Sequence, residues 1–168
     1  MLNKILLPSF IVLLLLKIGA LNFTTFNLFG DEAQYWLWSQ DIDLGYFSKP
    51  PFLSWIIRVY TEIFGSSFVS LKLLPLFVYL LISWSIYNLL INAGMNKKDS
   101  FAGCLIFLFI PAVSFSSFII STDLFLLLFW TLSLNELIKI NGEHGLKNFI
   151  LLGIFLGLGF LSKYATIY

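Results

Sequence analysis

Long apolar runs constrain this chain more than any other feature of its sequence. They recur from end to end and approach the roughly 20 residues that a helix needs to cross a bilayer. Only 11% of the 168 residues are charged, whereas soluble domains carry about 25%. The sequence therefore predicts an all-α, polytopic protein embedded in a lipid bilayer. The net charge of +1 gives no reason to expect nucleic acid as a partner.

The apolar runs divide the chain into about five predicted spans. Their approximate bounds are 5–28, 71–91, 101–118, 124–140 and 149–167, with an outer loop near 29–67. Lys4 precedes an apolar run, as in a signal peptide, but no small-residue cleavage site follows, so we expect an uncleaved first span. Lys17 falls inside that span. It either extends to the interface or is a buried functional lysine, and we expect the former.

Two short helices are predicted in the outer loop. Pro50 and Pro51 suit the start of a helix over Phe52–Phe64, and Gly65 suits its end. This 13-residue segment is amphipathic and too short to span, which is typical of a helix lying in the membrane interface. Asp31–Gln40 predicts a similar helix, with its acids at the positive end of the dipole.

Lysines in the short connections set the predicted orientation, because cytoplasmic loops are enriched in Lys and Arg. If the spans alternate, five lysines share one side, which we expect to be cytoplasmic: Lys4, Lys97, Lys98, Lys139 and Lys147. The outer loop and Asp123 then share the extracytoplasmic face of the cell (inner) membrane. Gly153, Gly157 and Gly159 give the last span a face of small residues on which helices can pack closely.

Acidic, basic and aromatic side chains converge on the predicted outer face. Asp31, Glu32 and Asp123 could act as general bases or hold a divalent cation, and Lys49 could bind a phosphate. Aromatic residues offer faces for a sugar or an isoprenoid chain. The alternative is that acids and aromatics merely decorate the interface, and that Ser121-Thr122-Asp123 is only the N-cap of a span.

The order of four motifs favours the enzymatic interpretation. They are Gly30-Asp31-Glu32-Ala33-Gln34-Tyr35, Gly45-Tyr46-Phe47-Ser48-Lys49-Pro50-Pro51, Ser121-Thr122-Asp123 and Gly157-Leu158-Gly159-Phe160-Leu161-Ser162-Lys163-Tyr164. The set resembles the GT-C membrane glycosyltransferases that use polyprenyl-phosphate donors. These include the protein mannosyltransferases and the transferases that put aminoarabinose on lipid A (families 39 and 83).

The resemblance implies a reaction and a set of site residues. A sugar would pass from a polyprenyl-phosphate donor to a lipid, glycan or protein acceptor outside the cytoplasm, usually with inversion. The implied catalytic residues are Asp31, Glu32 and Asp123; the donor-phosphate ligands Lys49 and Arg58; the substrate contacts Tyr35 and Tyr46; and a divalent metal could bind at Asp31.

Two departures from the family pattern leave alternatives open. Ser48 stands where the aminoarabinose transferases commonly carry a metal-binding glutamate, which puts that metal site and that substrate in doubt. Those families are also several times longer, so we expect 1–168 to be an N-terminal part, completed by spans from a second chain or inactive alone. The competing interpretation is a non-catalytic membrane protein: a transporter fragment, an assembly subunit or an inactive truncated remnant.

Overall fold

The computed structural model describes residues 8, 11–12, 15–21, 27–142 and 145–167. Within these ranges the chain is helical, with turns between helices and no strand, so the predicted all-α fold is confirmed. Most of the predicted first span, 5–28, and its signal-peptide-like run lie outside the described residues, although 15–21 are helical.

Seven α-helices, numbered over residues 27–167, follow one another along the chain. They are α1 (Gly30–Gln40), α2 (Phe52–Phe64), α3 (Phe68–Asn92), α4 (Lys97–Phe109), α5 (Pro111–Ser116), α6 (Thr122–Gly142) and α7 (Leu146–Ser162), and a 3₁₀ turn (Tyr164–Ile167) follows α7. In the described part of the chain, α3 is the helix that is long and apolar enough to cross a membrane; α7 is apolar but shorter.

Local sequence explains where α3 and α4 begin. The Ser67 hydroxyl accepts a hydrogen bond from the Ser70 amide, and the Asn96 side chain accepts from the amides of Lys98 and Asp99. Both side chains satisfy amides that have no partner within the helix. Gly65 ends α2 with φ at 81°, a conformation that glycine adopts without strain.

The predicted span at 101–118 is divided between α4 and α5. Pro111 has no amide hydrogen to donate, and its ring disfavours helical geometry at the preceding residue. Ile110 accordingly has φ and ψ of −57° and 125°, outside the helical region. A helix therefore ends at Phe109 and a new one starts at Pro111.

Helix α3 lies at the centre of the packing. It contacts α4 and α6, while α6 also packs along α7, and α1 packs on α2. The core is formed by apolar side chains from α1, α2, α3 and α6, with Ile120 just before α6: Tyr35, Leu53, Ile57, Leu71, Leu74, Val78, Tyr79, Ile82, Ile120, Leu124, Phe125 and Phe129.

Polar contacts mark the two ends of this bundle. At one end Glu32 binds Lys72 near the start of α3, and Asp123 at the start of α6 binds Lys163 after α7. We call this the acidic end. At the opposite end the Asn92 side chain donates to Asn135. The acids that the sequence analysis placed together thus lie at the same end of the bundle.

Lys17 is buried, so the expectation that it extends to the interface is wrong. Its Nζ donates to the Ser114 carbonyl at 3.0 Å and to the Ser117 hydroxyl, and lies over the Phe118 ring. Ser114 lies in the last turn of α5, whose carbonyls lack helical partners. Lys17 therefore satisfies the C-terminal end of that short helix, a favourable position for a cation.

Candidate active site

Two acid-bearing segments meet at the acidic end, although their acids are far apart in sequence. Asp31 and Glu32 lie in the first turn of α1, and Asp123 lies in the first turn of α6. The backbone amide of Ile120, three residues before Asp123, donates to Glu32 Oε1 at 2.8 Å. The start of α6 is therefore attached directly to the start of α1.

Glu32 is the buried member of the acidic pair. Its side chain has no solvent exposure, and its two oxygens lie 2.7 and 2.6 Å from Lys72 Nζ. Oε2 also accepts from the Phe29 amide at 2.9 Å, which closes the first turn of α1 as a capping-box glutamate does. With these donors and the Ile120 amide, both oxygens are fully engaged within the protein.

Asp31, by contrast, is exposed. Among the residues that the structure describes, no side chain forms a hydrogen bond or ion pair with its carboxylate. Asp31 and Glu32 are neighbours in sequence, but about 100° separates successive side chains around a helix, so only one of them points into the core. Of the two, Asp31 is the carboxylate that a reactant can approach.

Tyr35 lies near both Asp31 and Asp123. Its ring is buried at the acidic end, one helical turn after Asp31. Burial raises the pKa of Tyr35, and the negative charges of Asp31 and Asp123 raise it further. Tyr35 therefore responds to the charges of both acids.

Asp123 is paired with Lys163, whose Nζ lies 2.5 Å from Asp123 Oδ1. The side chains keep 59% and 31% of their exposure, respectively, so the pair lies at the surface and its charges remain accessible. The carboxylate of Asp123 lies in the first turn of α6 and is not free, because it forms this ion pair. It also brings a cation from beyond α7 to the acidic end.

The loop between α1 and α2 is held by its aromatic residues. The Tyr46 hydroxyl lies 2.8 Å from the Trp38 carbonyl and 3.0 Å from that of Asp41, while its ring stacks on Trp38. The Trp55 indole donates to the Asp43 carbonyl at 2.9 Å. Tyr46 thus stabilises this loop, and its side chain is half-buried.

The two predicted phosphate ligands are not joined to the acids. Lys49 is half-buried and forms no ion pair with any described residue. Arg58 on α2 binds Glu62, one turn further along, at 2.7 Å. Within 27–142 and 145–167, neither cation contacts Asp31, Glu32 or Asp123. Lys49 is therefore free to receive an anion, whereas Arg58 would have to leave Glu62.

The described residues do not by themselves suit a divalent metal. No group of three or more His, Cys, Asp or Glu side chains among them could hold one. Glu32 has no free lone pair, and the charge of Asp123 is balanced by Lys163. Ca²⁺ and Mg²⁺ require about six oxygen ligands, so Asp31 alone falls far short.

Lys72 and Lys163 are the site residues that the sequence analysis did not single out. Lys72 is a lone charge in the first part of an apolar helix, and such a residue is rare without a partner. That signal predicts a buried carboxylate nearby. Lys163 is the penultimate residue of the last of the four motifs, so its position at the acidic end of the bundle could have been inferred from motif order alone.

Comparisons with known proteins identify the family of the chain. Residues 48–168 match the family model of dolichyl-phosphate-mannose-protein mannosyltransferases, a range that includes Lys49, Arg58 and Asp123. The chain is 33% identical over 153 residues to a lipid A galacturonosyltransferase, RgtD, of Rhizobium johnstonii. That alignment covers 90% of this chain and 32% of the relative, so the chain spans about a third of the relative's length. No solved structure matches the chain.

The helical fold and these matches show that the chain is similar to the membrane glycosyltransferases of the GT-C class. The chain belongs to the dolichyl-phosphate-mannose-protein mannosyltransferase family. The family match begins at residue 48, so α1 and its acids precede the matched range.

Proposed function

We propose that this protein transfers a sugar from a polyprenyl-phosphate donor to an acceptor at the extracytoplasmic face of the inner membrane. Family membership supports the reaction class. The observation that carries the proposal is the 2.8 Å hydrogen bond from the Ile120 amide to Glu32 Oε1, which joins the segment that bears Asp31 to the segment that bears Asp123. Acids gathered at one end of the bundle provide a general base and a second charge for a reacting hydroxyl.

The acidic end would face outwards. Lys97 and Lys98 start α4, directly after the Asn92 end of α3, which matches the lysine-rich side expected in the cytoplasm. The spans would be near 5–28, 71–91, 101–118, 124–140 and 149–167. With 11 and 13 residues, α1 and α2 are too short to span and would lie in the outer interface.

Asp31 would be the general base. As the acceptor hydroxyl attacks the anomeric carbon, its proton passes to the Asp31 carboxylate and a new glycosidic C–O bond forms. The bond between the anomeric carbon and the phosphate oxygen breaks at the same time, and its electron pair leaves with the phosphate. Attack opposite to the leaving group inverts the anomeric centre.

Cations would stabilise the departing phosphate. Lys49 has no carboxylate partner among the described residues, and Arg58 is held only by the exposed Glu62, so both could turn to a phosphate. Asp123 would hold Lys163 close to the reacting atoms. Tyr35 and Tyr46 would contact the sugar. No step here passes through a metal, because the described donors do not suit one.

A lipid is the acceptor class that we favour. The relative at 33% identity is named for transfer of galacturonic acid to lipid A. An acceptor lipid would reach the interfacial helices from the bilayer itself. Since the chain spans about a third of that relative, we propose that further helices, in this or a second chain, complete the donor site.

The experiment that tests this function compares the wild type with Asp31→Asn. Membranes containing each variant receive a radiolabelled sugar on a polyprenyl phosphate, and the labelled lipid is counted. Loss of the base should lower the rate by about 10²- to 10⁴-fold. Asp41→Asn is the matched control, since Asp41 is an exposed acid directly after α1, and this variant should keep full activity.

Equal rates for the wild type and Asp31→Asn would remove Asp31 from the mechanism. If neither shows transfer although both insert normally, the helices of a second chain should restore the wild type and not Asp31→Asn. Absence of transfer under that condition as well would favour a non-catalytic membrane protein.

A further inference from the structure

We propose that Glu32, together with Lys72, is the positioning residue that fixes the distance between Asp31 and Asp123. The inference rests on the proposed function of those two acids. Glu32 has no exposure and no free lone pair, so it cannot reach substrate. Its contacts explain how a buried carboxylate controls the exposed one beside it.

The carboxylate joins the backbones of both acid-bearing segments. Oε2 accepts from the amide of Phe29, two residues before Asp31, and Oε1 accepts from the amide of Ile120, three residues before Asp123. Backbone amides move only with their segments. One side chain therefore sets the separation between the start of α1 and the start of α6.

Lys72 attaches this link to α3, a helix that packs against several others. Its Nζ bonds to both oxygens of Glu32 and lies 5.4 and 5.6 Å from the ring centres of Phe29 and Phe68. Because α3 also packs on α4 and α6, it provides a rigid reference for the link. The ammonium balances the charge that would otherwise make a buried carboxylate unfavourable.

The link requires both side-chain atoms of residue 32 that face the two amides to be hydrogen-bond acceptors. A carboxylate accepts on each oxygen, whereas an amide replaces one acceptor with an NH₂ donor. Glutamine at 32 would therefore lose the bond to Phe29 or to Ile120. A lysine at 32 would keep an ion pair with glutamate at 72 but could accept from neither amide. These differences separate a positioning role from simple charge pairing.

The test uses two double variants of the chain in membranes. Glu32→Gln with Lys72→Met keeps side-chain volume and removes both charges, and Glu32→Lys with Lys72→Glu exchanges the charges. The matched control is Glu136→Gln with Lys139→Met, which removes an ion pair at the opposite end. If the first double variant fails to insert, Glu32→Asp replaces it, because a side chain shorter by one methylene keeps the charge but cannot span both amides.

Two readouts are measured. Spin labels on exposed positions of α1 and α6, Gln34→Cys and Leu134→Cys in a Cys104→Ala background, report the distance distribution between the helices. Both Glu32 variants should broaden or shift it, while the control should match the wild type. Turnover should fall by about 10²-fold with KM unchanged, because a displacement near 1 Å costs that much in rate.

Two results would overturn the proposal. One is a distance distribution in the neutral double variant that matches the wild type. The other is restoration of distance and turnover by the charge exchange, which would show that the ion pair alone matters. The distance measurement does not depend on activity, so failure of the proposed function would appear separately, as an Asp31→Asn variant that retains full transfer.

Discussion

Tyr35 is the residue whose chemistry reports most directly on the acidic end. Its side chain is buried and is subject to the charges of Asp31 and Asp123. Both charges disfavour a phenolate, as burial does, so the hydroxyl stays protonated and remains a hydrogen-bond donor well above neutral pH. At the pH of the cell it can donate to a substrate oxygen but cannot serve as a base.

Titration of Tyr35 should show this environment. The phenolate absorbance of the wild type minus that of Tyr35→Phe should have a midpoint above the ordinary tyrosine pKa of about 10. Asp31→Asn and Asp123→Asn should each lower that midpoint, because each removes a negative charge, whereas Asp41→Asn should leave it unchanged. A midpoint insensitive to Asp31 and Asp123 would show that the three residues do not meet.

The raised pKa of Tyr35 also makes the stability of the fold depend on pH. The folded state binds this proton more tightly than the unfolded state. The protonated Tyr35 side chain therefore contributes to the free energy of unfolding at pH values below the pKa of an unfolded tyrosine. This contribution is lost as the pH rises through the pKa of Tyr35 in the folded state. Tyr35→Phe should accordingly lose less stability than the wild type on going from neutral to strongly alkaline pH.

The sequence identified Asp31, Glu32 and Asp123 as a group but could not separate their roles. Adjacent acids at a helix start look equivalent in one dimension. Glu32 differs only because Lys72, 40 residues later, and the Ile120 amide, 88 residues later, converge on it. Such convergence depends on how α3 and α6 pack, which a local pattern does not contain.

At the scale of helices, hydropathy located α3 and α7 but not the details of their ends and faces. The predicted last span extended to residue 167, whereas α7 ends at Ser162 and a 3₁₀ turn follows. Of the three glycines expected to form a packing face, only Gly159 is in close contact. A Cβ there would lie 2.8 Å from Thr166 Cγ2, whereas a Cβ at Gly153 or Gly157 would have no described atom beyond its own stretch of helix within 4 Å.

Gly159→Ala should therefore destabilise the fold by about 1–3 kcal/mol, the usual cost of overpacking. The methyl group would push Thr166 and the 3₁₀ turn away from α7. Thermal unfolding in detergent measures the change. Gly153→Ala and Gly157→Ala are matched controls and should leave stability unchanged or raise it by up to about 1 kcal/mol, since alanine favours helix.

A second change separates the clash from a general intolerance of alanine in α7. Thr166→Ser removes the Cγ2 methyl and keeps the hydroxyl that donates to the Lys163 carbonyl. Combined with Gly159→Ala, it should recover most of the lost stability. Equal unfolding temperatures for all three glycine variants would contradict the close contact at Gly159.

At the scale of the whole molecule, polar groups are divided between two ends. Asp31, Asp123 and Lys163 lie at one, and Lys97, Lys98 and Lys139 lie towards the other. The lysine pattern predicted this division because the charges of short loops can be counted in the sequence and do not depend on how the helices pack. The number of spans is less accessible from sequence, since Pro111 interrupts a run that hydropathy alone joins.

Chemical labelling from outside the cell should show on which side of the membrane each end of the bundle lies. In a Cys104→Ala background, Phe47→Cys should react with a membrane-impermeant maleimide in intact cells, because Phe47 is fully exposed in the loop after α1. Met95→Cys, exposed between α3 and α4, should react only after the membrane is opened. The reverse pattern would invert the proposed orientation and move the acidic end to the cytoplasm.

The buried pair of Glu32 and Lys72 also has a consequence for biosynthesis. The ribosome makes Glu32 40 residues before its counter-ion, and burial of a lone carboxylate is strongly unfavourable. In the proposed orientation, α1 must therefore stay hydrated at the outer face until α3 has been inserted and Lys72 arrives. Docking of α1 is thus a late step of biogenesis, and the proposed catalytic face is assembled only after the helices beneath it.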